Sequence, residues 1–121
     1  MSRKLKIGDI IEVTYPRKVP KGHEQEGRRP AIVIGIPEKV GVTRYPIVIT
    51  IPLTTNLGDW STENKLYVRL NKGDGDLLQE SIVLTDQIIS IDITRITGLF
   101  GTLNESKMKS IRNILKQIFE L

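Results

Sequence analysis

Between His23 and Pro30 the chain reads His-Glu-Gln-Glu-Gly-Arg-Arg-Pro, with two adjacent arginines where a long polar stretch meets an apolar run. A guanidinium is planar, keeps its charge at any ordinary pH and presents a fork of donors that matches a phosphate. Arg29, held by stiff backbone with its fork toward a cleft, is therefore suited to bind one. Alternatively, Arg28 and Arg29 pair with Glu24 and Glu26 across the loop, and composition alone favours that arrangement, because loop ion pairs are common and contribute little. Residue counts close most other routes to catalysis. With no cysteine and one histidine, His23, a thiolate zinc site, a Cys nucleophile, a His-rich metal centre and a His pair for acid and base work are all excluded. No Gly-rich phosphate loop of the Walker type occurs. Any chemistry must rest on Arg, Lys, Thr, Ser, carboxylates and His23, with no metal or cofactor expected.

The elements that must position these groups are short and mostly extended. Residues 7–15 alternate and are rich in Ile and Val, which predicts a first strand ended by Pro16. Residues 16–28 hold prolines, glycines and charges without apolar periodicity, a long exposed loop of the kind that is usually functional. Residues 29–36 are apolar on both faces and predict a buried second strand. The third spans 46–54, with Ile47, Ile49, Ile51 and Leu53 on its more apolar side and Thr54-Thr55-Asn56 at its end. A polar loop over 56–64 carries the only tryptophan, Trp60, and 66–70 reads as a short strand. Asp74 and Asp76 superficially resemble a calcium loop, but the remaining ligands and the closing Glu are missing, which leaves a turn. Residues 81–84 and 87–93 read as one or two strands meeting at Asp86. Asn104 is a plausible N-cap for a terminal helix whose Met108, Ile111, Leu115 and Ile118 share one face. The expected fold is mainly β with a C-terminal α-helix: a small antiparallel barrel with the helix packed across it.

A chain of 121 residues buries roughly two thirds of its extended surface and supports one core, so 1–121 is expected to be a single domain. The net charge of +4 and pI near 9.5 tilt toward an anionic partner. With no Lys/Arg block, such a partner would meet a folded surface. Neither a secretion signal nor a membrane span is read, and the lack of cysteine agrees with a reducing cytoplasm. Asn56 and Gln87 are placed where amides could read base edges in a splayed single strand, although ordinary strand-end hydrogen bonding is the better explanation of both. Trp60 stacks on a base or packs against the sheet or a partner. Lys107, Lys109, Arg112 and Lys116 read as a solvated helix face.

Four pieces in order resemble one family. Gly8-Asp9-Ile10 opens a strand; Glu24-Gln25-Glu26-Gly27-Arg28-Arg29-Pro30 leads into Ala-Ile-Val-Ile; Ile51-Pro52-Leu53-Thr54-Thr55 ends the third strand; and Ser81-Ile82-Val83-Leu84-Thr85-Asp86-Gln87-Ile88 is followed by Ile91-Asp92. Together they resemble the MazF/PemK toxins over nearly the whole chain. The resemblance implies an SH3-like barrel with added helices, a homodimer, and a toxin that cuts single-stranded messenger RNA without metal and is silenced by a cognate antitoxin. It also implies that Arg29 and Thr54 are the catalytic pair; Arg28, Gln25, Asn56 and Gln87 are the candidate RNA contacts. His23 stands where many relatives have Ser, and the 16–22 stretch is more basic than the family pattern, both of which bear on substrate preference. On physical grounds Arg29 and Thr54 stabilise charge on a breaking phosphodiester, and His23 or Glu24 is available for proton transfer if the loop folds over the site. A gyrase-poisoning toxin of the same fold and a non-catalytic nucleic-acid-binding barrel are the rival readings, neither of which needs the Arg29–Thr54 pair.

Overall fold

The computed structural model describes residues 4–42, 45–59 and 65–121. Seven strands and one α-helix follow in the order β1 (Asp9–Tyr15), β2 (Gly27–Gly35), β3 (Ile47–Thr54), β4 (Val68–Leu70), β5 (Ser81–Val83), β6 (Ile89–Asp92), β7 (Ile96–Thr102) and α1 (Glu105–Phe119). All described pairings are antiparallel. The strands lie in the order β4-β5-β3-β2-β1-β7, and β6 continues alongside β3.

Side chains alternate across a strand, so the central strands β1, β2 and β3 feed two separate cores. Ile10, Ile32, Ile51 and Leu53 point to one face, where they meet Leu70, Val83 and Leu103, and the helix adds Met108 and Ile111. Ile11, Val13, Tyr15, Ala31, Val33 and Val48 point to the other face and pack with Ile91. The alternation expected of β3 is inverted in its first half, where Val48 and Thr50 are buried and Ile47 and Ile49 only half-buried, and it is lost in its second half, where residues 51–54 are all buried.

The sheet does not close into the expected barrel. Its end strands β4 and β7 do not pair, and other elements fill the space between them. On the β4 side lies α1, whose Lys107 Nζ donates to the Arg69 carbonyl at 3.2 Å. On the β7 side lies the 3₁₀ turn Asp74–Asp76. The approach there is close enough to require glycine at 101, where a Cβ would stand 2.8 Å from the Gly75 carbonyl oxygen. That aspartate pair thus serves a turn, with Asn71 N donating to Asp74 Oδ2 at 2.8 Å.

The helix starts as expected, Asn104 Oδ1 accepting from Lys107 N at 2.9 Å. Its buried face is shorter than the periodicity predicts. Met108 and Ile111 are buried and Ile114 and Leu115 pack at the margin, but Ile118 is 40% exposed because the helix runs past the sheet beneath it. β7 has no counterpart in the sequence reading. Gly98 and Gly101 interrupt it, and its pairing with β1 shifts register twice, so no clean alternation marks it. Trp60 and the segment 60–64 around it lie outside the described residues.

Candidate functional site

The 16–28 loop ends two residues earlier than expected, because β2 begins at Gly27 with φ +83°, a left-handed backbone that glycine adopts without strain. Arg28 and Arg29 are therefore strand residues, and they face opposite ways. Arg28 pairs with Thr14 across β1 and lies on the Glu12 side, its Nε 3.7 Å from Glu12 Oε1. Arg29 sits opposite Val13 and shares its face with Ala31 and Val33. The loop ion pairs favoured by composition do not form. Arg28 finds a carboxylate on the neighbouring strand, and Arg29 Nε donates to the main-chain oxygen of Glu26 at 3.3 Å. Among the described residues no carboxylate pairs with Arg29.

Thr54 ends β3 on that same face. The β2–β3 ladder pairs Val33 with Thr50, Ile32 with Ile51 and Ala31 with Pro52. Continued for two more residues, this register sets Arg29 across from Thr54. Side chains directly opposite in antiparallel strands lie on one face and are near neighbours. Thr54 is 4% exposed, and its Oγ1 accepts from Asn56 N at 3.2 Å. That contact uses a lone pair of the hydroxyl and leaves its proton available to an incoming oxygen. Asn56 is thereby bound to the strand end through its backbone.

The side of the sheet that carries Arg29 has an apolar floor of Val13, Tyr15, Ala31 and Val33, and a linked hydroxyl chain runs within it. Thr50 Oγ1 donates to the Ile89 carbonyl at 2.9 Å, so the Tyr15 hydroxyl, 2.7 Å away, donates to Thr50. Burial pushes the Tyr15 phenol up to about 12, and it stays neutral at any physiological pH.

The break between β5 and β6 ties the far side of the site together. Leu84 N donates to Pro52 O at 3.1 Å, and Gln87 N to Leu84 O at 2.8 Å. Thr85 Oγ1 donates to Leu66 O, and Tyr67 OH to Asp86 Oδ2 at 3.2 Å. Burial first, and then the Asp86 carboxylate, raise the Tyr67 phenol to about 12. Gln87 Nε2 reaches the long loop, donating to the His23 carbonyl at 3.2 Å. The Gln87 amide thus pins the loop in this state.

The remaining sequence candidates lie on that loop. His23 and Glu24 are exposed, and among the described residues neither side chain bonds to Arg29 or Thr54. The Glu24 carboxylate folds over Gly22, where a Cβ would stand 2.5 Å from its Oε2. Gln25 Oε1 is buried with no hydrogen-bond partner among the described residues. Sequence reasoning missed Glu26, whose carboxylate accepts from Lys18 N at 2.8 Å and lies 4.0 Å from Lys21 Nζ. It also missed Tyr67 and Thr85. The Glu at 26 had a visible signal, since it directly precedes Gly27-Arg28-Arg29, but its partner Lys18 is a backbone group that no sequence pattern exposes.

The family model for the PemK-like, MazF-like toxins of type II toxin–antitoxin systems matches residues 6–119. The chain belongs to that family. A MazF-family relative, the endoribonuclease MazF of Staphylococcus saprophyticus, is 27% identical over 95 residues, which cover 78% of this chain and 76% of the relative. Among solved structures, MazF of Deinococcus radiodurans superposes with a TM-score of 0.75 at 23% identity, covering 97% of each chain. A mycobacterial endoribonuclease in complex with its cognate antitoxin superposes at 0.68 with 16% identity, covering 100% of this chain and 97% of that one. The seven-stranded open sheet with its C-terminal helix is thus the MazF fold.

Proposed function

We propose that this toxin is a sequence-specific endoribonuclease that cuts single-stranded messenger RNA without a metal ion and is neutralised by a cognate antitoxin. The observation that carries the reading is Arg29. It is half-buried, free of any carboxylate among the described residues, and on the face that Thr54 shares when the β2–β3 register is continued two residues past its last pair, Ala31 with Pro52. A fork held this way neutralises a phosphodiester more strongly than an exposed one, because the apolar floor weakens solvent screening. The endoribonuclease of Staphylococcus saprophyticus and the family's toxin description support the same assignment.

In this mechanism the substrate's 2′-oxygen bonds to the adjacent phosphorus while the bond from phosphorus to the 5′-oxygen breaks. The products are a 2′,3′-cyclic phosphate and a 5′-hydroxyl, the proton lost from the 2′-hydroxyl being matched by one gained at the 5′-oxygen. The terminal nitrogens of Arg29 and the Thr54 hydroxyl hold the non-bridging oxygens as charge builds on them. A guanidinium is a fixed positive charge that binds phosphate through its fork of donors, so Arg29 acts by charge. Proton transfer falls to His23 or Glu24, which reach the substrate once RNA seats and the loop adjusts. Arg28, Gln25, Asn56 and Gln87 contact the flanking nucleotides. For Gln25 the loop must shift, because its carbonyl oxygen is enclosed. Such a shift is favoured by the missing partner, since an unsatisfied buried acceptor costs about 1–3 kcal/mol. The protein works as a homodimer in the cytoplasm, where its RNA substrate lies. Among the described residues no helix is long and apolar enough to cross a membrane.

The test is incubation of the purified protein with single-stranded and duplex RNA in EDTA, followed by end-group mapping. Discrete cuts in the single strand, ending in cyclic phosphate, are expected. Intact RNA together with inhibited DNA gyrase would replace this reading with the gyrase-poison one.

A further inference from the structure

We infer that Glu26 is a positioning residue that clasps the long loop and aims Arg29, an inference that rests on the endoribonuclease reading. Glu26 is the last residue before β2, and both of its ends are engaged. Its carboxylate reaches eight residues back to accept from Lys18 N at 2.8 Å, and Lys21 Nζ stands 4.0 Å from the other oxygen. Its carbonyl accepts from Arg29 Nε at 3.3 Å. The left-handed turn at Gly27 brings that carbonyl back over the side chain three residues on. One residue therefore couples the loop's conformation to the guanidinium's orientation.

The coupling matters because of how a guanidinium binds phosphate. It has five N–H donors, and the bond to Glu26 takes the Nε–H. The four donors on the two terminal nitrogens remain, and those form the bidentate face. Fixing Nε to a backbone oxygen removes rotation about the last torsions of a long side chain, so the fork waits in one pose. The second clasp, Gln87 Nε2 to His23 O at 3.2 Å, holds the loop's middle. Of the two clasps, Glu26 is the one that hydrogen-bonds Arg29 itself. The Glu26 side chain is 23% exposed while Lys21 is 77% exposed, so the hydrogen bond to Lys18 N does more to hold the loop than the ion pair does.

Glutamine keeps an oxygen able to accept from Lys18 N, and alanine does not. A displacement of about 1 Å at a reacting centre costs on the order of 100-fold in rate. For Glu26→Ala we expect kcat to fall by about 10- to 100-fold with KM within threefold of wild type, since Arg29 keeps its charge. For Glu26→Gln we expect a rate within about threefold of wild type. If Glu26 instead moved a proton, Glu26→Gln would be as slow as Glu26→Ala, and that result overturns the positioning role.

The experiment pairs these rates with limited trypsin digestion of the same folded proteins, read at Lys18 and Lys21. Faster loop cleavage in Glu26→Ala, but not in Glu26→Gln, is the expected companion to the kcat loss. A loop equally resistant in all three proteins overturns the clasp, and a loosened loop with unchanged kcat overturns the link to Arg29. Should wild-type protein leave RNA intact, the endoribonuclease reading is what has failed, and the digestion alone then decides whether Glu26 holds the loop.

Discussion

Thr54 allows catalysis and stability to be pulled apart. Thr54→Val keeps the shape of a side chain that is only 4% exposed and deletes its hydroxyl. The structural loss is the hydrogen bond from Asn56 N at 3.2 Å, and because Asn56 is exposed, water can replace it. The cost is about 1 kcal/mol or less, which for a domain of this size lowers Tm by roughly 3–5 °C. The catalytic loss is much larger, since deleting one donor to a developing oxyanion costs on the order of 100- to 1,000-fold, or about 2.7–4 kcal/mol. Thr54→Ser has a similar structural cost without the catalytic one. It keeps the hydroxyl and leaves a methyl-sized void that costs about 1 kcal/mol. Single-turnover cleavage of a short single-stranded RNA in EDTA, with thermal denaturation followed on the same samples, reads both quantities. The valine variant should be folded and slow, the serine variant slightly less stable and fast. A valine variant within fivefold of wild type, or a serine variant as slow as valine, refutes the role given to the hydroxyl.

Tyr15 should make the fold alkali-sensitive. Its phenol is raised from 10.0 to about 12 by burial, so the stability it contributes is intact below pH 10 and is lost as pH rises from 10 to 12, by about 3 kcal/mol in all. Denaturant unfolding of Tyr15→Phe across that window should show a flatter pH response, and an unchanged slope would contradict this. Asn104→Ala, which removes the cap accepted by Lys107 N, should cost about 1 kcal/mol without altering RNA cleavage, as checked by urea unfolding and the cleavage assay. RNA affinity, measured by fluorescence anisotropy with a 2′-deoxy analogue, should fall linearly with log salt, with a slope near 0.7 per phosphate contact. A flat response would argue against a phosphate-binding face.

Elements with strong local patterns were legible before any coordinates. β1 and β2 follow from dense β-branched runs ended by Pro16 and Pro37, and the helix follows from Asn104 and the spacing of Met108 and Ile111. Arg29 could be singled out because it stands where a long loop enters a buried run, whereas its pairing with Thr54 came from the resemblance to the MazF/PemK toxins. Long-range relations were less visible. Arg28 becomes a strand residue on the opposite face because β2 starts at Gly27 rather than at 29, whereas Arg29 lies on the Thr54 side with either start, since side chains alternate along a strand. For Gln87 the structure adds a contact that no sequence pattern exposes, its amide donating to the His23 carbonyl, a backbone group 64 positions away. The open sheet was hidden for a similar reason. Closure or its absence depends on the ends β4 and β7, and β7 carries the weakest pattern in the chain.

The central claim is that the Arg29 guanidinium neutralises the phosphodiester as it breaks. The most direct measurement is the single-turnover rate of folded Arg29→Ala on single-stranded RNA in EDTA, beside wild type and Arg29→Lys. A loss of at least about 100-fold in the alanine variant, with an intermediate rate for lysine, is the predicted result. An alanine variant that cuts at the wild-type rate would contradict it.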